Sequence, residues 1–235
     1  MALPQLNATP KYELNIPSTG QAVRFRPYLV KEEKVLMLAM ESKDEKHMYS
    51  AIVDTIESCV TDEISRNKLT TFDVEYMFTQ IRSKSVGETA NIGLKCSECE
   101  HANDVSINLD DVKVHMPEIS NIIKLTDDVS IEMKWPTYLA MLDSGMHKEN
   151  NQTEATFELV ISCIDKVLTD DEQIYLSDES KSEAMRFVES LNTTQFNMIK
   201  EFMEHMPSMK SNVEFVCEEC GHHNKYTLQG MNDFF

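Results

Sequence analysis

Cys96-Ser-Glu-Cys99-Glu-His101-Ala-Asn103 and Cys217-Glu-Glu-Cys220-Gly-His222-His-Asn224 are two runs of one pattern, a C-x-x-C pair followed by histidine and then asparagine. Two cysteines separated by two residues can point from one tight turn at a single tetrahedral ion, so each pair is half of a four-thiolate zinc site. Ile92 and Leu94 alternate before the first pair and Val105, Ile107 and Leu109 after it, while Val213, Phe215, Tyr226 and Leu228 flank the second. That period of two predicts a knuckle of two short strands around each pair. The pairs are separated by 117 residues, so one ion on Cys96, Cys99, Cys217 and Cys220 has to be assembled by tertiary folding.

A shell of four thiolates leaves no open position for water or substrate, which makes the expected zinc structural. His101 and His222 are then expected at the surface or behind the sulfurs. Gly221 suits a turn of positive φ. Separate redox dithiols are the competing reading, but neither pair precedes a helix as a thioredoxin-like motif would.

Outward from the first knuckle, Leu14, Ile16, Val23 and Phe25 alternate around Pro17-Ser-Thr-Gly20, a hairpin closed by Pro27. Helical spacing follows over 30–40, 44–60 and 72–84. Before the second knuckle the same order returns: a hairpin over 123–133 around Thr126-Asp-Asp, closed by Pro136, then helices. Phe157, Val160, Ile161, Ile164 and Val167 match Tyr49, Ile52, Val53, Ile56 and Cys59 at a constant offset of 108, and Thr169-Asp170 matches Thr61-Asp62. A further helix runs over 194–205, and the offset has grown to 121 at the knuckles, which puts an insertion within 171–189. The expected fold is α+β, two diverged repeats over 1–120 and 121–235, joined as a four-cysteine zinc ribbon into one compact unit with the ion on the pseudo-twofold axis.

The chain has 235 residues, 40 acidic against 22 basic, and a net charge of -18. Its basic residues do not cluster, which disfavours a nucleic-acid partner. No apolar window is long enough to span a membrane and no secretory signal opens the chain, so the protein is expected to stay soluble where it is made. Six cysteines in a reducing compartment read as four ligands plus two buried thiols, Cys59 and Cys163. Six glycines form no phosphate-binding loop, and no nucleophile or H-E-x-x-H signature occurs, so no catalytic residue or small-molecule substrate is expected. The 15 methionines are assigned mainly to the core. Phe234-Phe235 can anchor on a partner or on the chain's own knuckle.

Tyr12-Glu-Leu-x-Ile-Pro17-Ser-Thr-Gly20, Phe25-Arg26-Pro27-Tyr-Leu-Val-Lys31-Glu32-Glu33-Lys34, Phe72-Asp-Val-Glu75-Tyr76 and Ile81-Arg82-x-Lys84-Ser85-Val86-Gly87-Glu88 lead to the first cysteine pair. Together they resemble the T4-like myophage baseplate proteins, described as baseplate hub subunits or hub-assembly proteins. The resemblance covers much of 12–103 and is weaker beyond. It implies a non-enzymatic protein-binding scaffold, with other hub and tail proteins as partners, acting in the host cytoplasm during assembly or in the finished baseplate. The competing class is a zinc-ribbon adaptor for nucleic acid or the transcription machinery, which requires a basic face near Lys95 and Lys225.

Overall fold

The structure, a computed structural model, describes residues 9–144 and 152–234. Its order begins with strands β1 (Tyr12–Asn15) and β2 (Ala22–Phe25), helices α1 (Val30–Ser42), α2 (Glu45–Cys59) and α3 (Thr71–Val86), and strands β3 (Thr89–Lys95), β4 (Ala102–Asn108) and β5 (Lys113–His115). Then come β6 (Ile122–Lys124), β7 (Val129–Met133), α4 (Tyr138–Ser144), α5 (Gln152–Cys163), β8 (Ile164–Thr169), β9 (Gln173–Tyr175), α6 (Lys181–Glu189) and α7 (Thr193–Glu204). Strands β10 (Ser208–Val216) and β11 (His223–Gln229) end the series. Among the described residues this is a mixed fold of seven α-helices and several small antiparallel sheets.

Two compact units emerge, and they run differently from the division at residue 120 read from the sequence. One holds residues 9–66, 72–115 and 208–234; the other holds 67–71 with the rest of 116–207. The second knuckle therefore belongs with the first and not with the helices that precede it.

In the first unit, Leu14 pairs with Val23 across the β1–β2 hairpin, Gly20 turns it at φ 69, and the buried Asp73 accepts from Ser18 N–H. Glu32, three residues into α1, accepts from the Leu29 N–H at the helix start and holds Arg26 at 2.8 Å. Asp44 caps α2 by accepting from the N–H groups of Lys46 and His47. Leu36, Ala39, Ile52, Val53, Ile56, Met77 and Ile81 are buried. Sequence periodicity predicted all of these helices.

A second core lies under the knuckles. Ala90, Ile107, Leu109, Val112, Met209, Val213, Leu228 and Phe234 are buried together. Phe234 is thus a core residue of its own chain, whereas Phe235 lies outside the described residues. Strand β10 pairs on one side with β11 and on the other with β5, three residues too short to read from periodicity.

In the other unit β6-β7-β8-β9 form one sheet against Leu159, Val160, Cys163, Ile199 and Phe202, with Trp135 stacked on Phe202 at 4.3 Å. Here the sequence reading needs correction. It ran one helical face through Ile164 and Val167, but α5 stops at Cys163 and those residues open β8, paired with β7. The constant offset of 108 therefore breaks at this helix end. Backbone bonds give a different match: Arg26 N–H donates to Cys59 C=O, and Lys134 N–H donates to Cys163 C=O. Phe25 likewise bridges Val60, as Met133 pairs with Ile164.

The methionines also divide. Met77, Met133 and Met209 are buried, but Met37, Met40, Met116 and Met198 are exposed.

Candidate metal centre

Each knuckle is built by the same backbone bonds. Cys96 N–H donates to His101 C=O and Glu100 N–H returns to Cys96 C=O; Cys217 pairs with His222 and receives Gly221 in the same way. Such a turn drives the residue after the second cysteine into the left-handed region. Gly221 takes φ 73 there as its sequence position predicted, and Glu100 takes φ 59 without glycine's freedom.

The turns bring all four sulfurs together, with every ligand atom within 4.8 Å of the others. Cys96 and Cys220 sulfurs are 3.7 Å apart, Cys99 and Cys217 sulfurs 3.6 Å. A tetrahedral ion with bonds of about 2.3 Å needs sulfurs about 3.8 Å apart, so the cluster fits a thiolate-bound metal ion. The four residues that the spacing singled out are thus juxtaposed and could hold one ion.

Cys96 and Cys217 are buried, while Cys99 and Cys220 face solvent. Against the cost of burial, N–H groups of Cys99 and Glu98 and the Asn224 amide pull the Cys96 thiol down to about 6. Cys217 is lowered as well, first by the N–H of Cys220. Cys96 and Cys217 are thus disposed to the thiolate form that a metal requires, whereas the Cys99 thiol, against the pull of the His101 N–H, is pushed up to about 12 by the neighbouring sulfurs and burial, and Cys220 is raised as well.

The side chains of His101 and His222 are exposed, and it is their carbonyls that close the turns. The small polar residues of the two runs are expected from the sequence to donate hydrogen bonds to the sulfurs, and the asparagines are side chains that do so. Asn103 and Asn224 are buried, and each bonds to the opposite knuckle. Their matching positions were visible in sequence; which loop they would reach was not. Tyr226 adds a further tie, its hydroxyl donating to Lys95 C=O.

The two lone cysteines stand elsewhere, one in each unit. Burial pushes the Cys59 thiol up to about 11 and the Cys163 thiol up to about 12. Both are buried core residues, as expected. Around the knuckles the charge is acidic: Glu98, Glu100, Glu218 and Glu219 are exposed, and Lys225 is engaged by Glu214 at 2.8 Å. This gives no support to a nucleic-acid adaptor, which needs a basic face.

Comparison with known families decides the broader question, since the family described as T4 bacteriophage base plate protein matches residues 9–235. The chain belongs to that family. As a baseplate protein it is a structural component whose partners are other phage tail proteins. No curated protein and no solved structure is a significant match. None of the described helices is long and apolar enough to cross a membrane.

Proposed function

We propose that this baseplate protein is a non-enzymatic scaffold of the tail hub, or a factor that assembles it, stapled by one structural zinc ion on Cys96, Cys99, Cys217 and Cys220. Four sulfurs within 4.8 Å of one another, two pairs of them at 3.6 and 3.7 Å, support zinc, and the closed shell they would make has no place for a substrate. Assembly takes place in the host cytoplasm, and the protein works there or in the finished tail. Zinc measured at one equivalent per chain is the expected result; purified protein without metal removes the staple.

The observation that carries the binding role is α1. It buries only Glu32, Leu36 and Ala39 and leaves Val30, Val35, Met37, Leu38 and Met40 exposed. Leu29 just before it is exposed as well. In a chain of net charge -18 this helix carries Lys31 and Lys34 beside Glu32, Glu33 and Glu41, with Glu32 paired to Arg26, so its exposed charge is close to balanced. Exposed apolar surface of this kind marks a protein interface. Its occupant in this reading is another baseplate subunit presenting an apolar face. The double variant Met37→Glu, Leu38→Glu is expected to fold and retain metal but to lose incorporation into baseplates in infected cells. Normal tails built with that variant would sink the assignment of α1.

We also infer that the chain is an internal duplication of a hairpin, helix and knuckle module, 1–120 and 121–235. It is supported by the paired bonds that end in Cys59 and Cys163 and by the identical knuckle turns. In this reading the ion sits on the pseudo-twofold axis between the copies.

A further inference from the structure

The asparagines form a reciprocal brace. Asn103 Oδ1 accepts from Glu218 N–H at 2.9 Å, and its Nδ2 donates to its own His101 C=O at 2.9 Å and to Cys217 Sγ at 3.8 Å. Asn224 Oδ1 accepts from Ser97 N–H at 2.9 Å and the Ser97 hydroxyl at 3.0 Å. Its Nδ2 donates to His222 C=O at 3.1 Å and to Cys96 Sγ at 3.5 Å. Each side chain therefore reaches from its own knuckle to the residue after the first cysteine of the other, and to that cysteine's sulfur.

We propose that Asn103 and Asn224 are positioning residues of the metal centre, each holding the opposite knuckle and donating an N–H to its buried thiolate so that the ion is retained. This rests on the zinc reading above.

Three physical points favour it over ordinary filling of a buried turn. Both amides are nearly inaccessible, 3% and 2% exposed, and both use their two N–H groups as well as their oxygen. Their orientation is fixed, because the oxygens face backbone N–H groups and a reversed amide would set oxygen against sulfur. The chemistry also calls for donors, since four thiolates around a divalent cation leave two net negative charges in a chain already at -18. An N–H aimed at sulfur draws off part of that charge. Glutamine is a methylene too long for the same span, and aspartate keeps the acceptor while losing the donor.

That difference supplies the test. Full-length protein and the variants Asn103→Ala, Asn224→Ala, Asn103→Asp and Asn224→Asp are loaded with zinc, checked by circular dichroism, and challenged with excess chelator. The wild type should release one zinc slowly, and each alanine variant about 10–100-fold faster, the scale for groups that orient ligands. The aspartates, which keep the backbone bond, should lose zinc as readily as the alanines. In cobalt-loaded protein every variant should move the thiolate-to-metal charge-transfer band to lower energy, because a sulfur without its donor gives up an electron more easily. A purely structural role would leave that band in place. Aspartate variants with wild-type release and spectrum overturn the proposal even if the alanine variants fail to fold. A wild type that binds no metal overturns the zinc reading and this inference together, an outcome separable from the first.

Discussion

The two knuckles share one backbone plan and differ in how the segments after them are fastened to α3. Beyond β4 the chain turns through Leu109–Asp111, where Asp110 accepts from Ser83 and Lys84, both at 2.6 Å. Beyond β11 it turns through Met231–Asp233, where Met231 N–H donates to Glu75. The first fastening is an ion pair; the second is a half-buried carboxylate with no cationic partner among the described residues. The Lys84 and Ser83 bonds lower Asp110, whereas burial raises Glu75 to about 7. What differs between the two knuckles is therefore the support and not the turn, and the two supports respond to pH with opposite signs.

The largest effect should come where the knuckles are equivalent. Cys96→Ser and Cys217→Ser are each expected to abolish stoichiometric zinc and cost about 3–5 kcal/mol, part of the ~10–16 kcal/mol that structural zinc can contribute. Elemental analysis and denaturant unfolding measure both. A variant that keeps its metal, or a large inequality between the two, breaks the comparison.

Glu75 sharpens it next. A carboxyl raised in the folded state favours folding most below its ordinary pKa, and that contribution is lost as pH rises toward 7. Glu75→Gln should therefore stabilise the protein by about 1–3 kcal/mol at pH 8 and have little effect at pH 4. Asp110→Asn should do the reverse, destabilising at neutral pH and less so as pH falls through the range in which Asp110 protonates. Melting curves across pH decide the signs.

The smallest effect lies in the turn itself. Gly221→Ala forces a side chain into the left-handed region and should cost about 1 kcal/mol, whereas Glu100→Gly relieves the same conformation and should gain roughly 0.5–1 kcal/mol. Equal responses at the two positions would mean that the turns are less alike than their hydrogen bonds. Thiol labelling adds a check of another kind. After chelation the four knuckle cysteines should alkylate in the folded protein, and Cys59 and Cys163 only on unfolding.

Local order was readable in the sequence, and long-range pairing was not. The spacing of Ile52, Ile56 and Cys59 identifies α2, and Asp44 marks its start, because a helix states its face in its own residues. Ile164 and Val167 satisfy a helical face as well as a strand, and only pairing of β8 with β7 decides between them. The same holds for β5 and β9, whose three residues gain meaning only from the strands they pair with, β10 far along the chain and β8 across a short turn. At the candidate site the cysteines were legible because metal ligation requires a strict spacing. Glu75 was not, since a carboxylate between Val74 and Tyr76 on a helix gives no sign of the segment that will cover it. On α1, periodicity predicted the helix but not that so many of its apolar side chains would face outward.

His115 and Ser208 are register partners on neighbouring strands, so the chain leaves the first unit and re-enters it at adjacent positions. During synthesis the early knuckle must wait while more than a hundred further residues emerge from the ribosome before its counterpart arrives. A chain that terminates early has only two of the four sulfurs, and cannot close the cage. On the zinc reading proposed above, the ion can be held only once synthesis has passed Cys220.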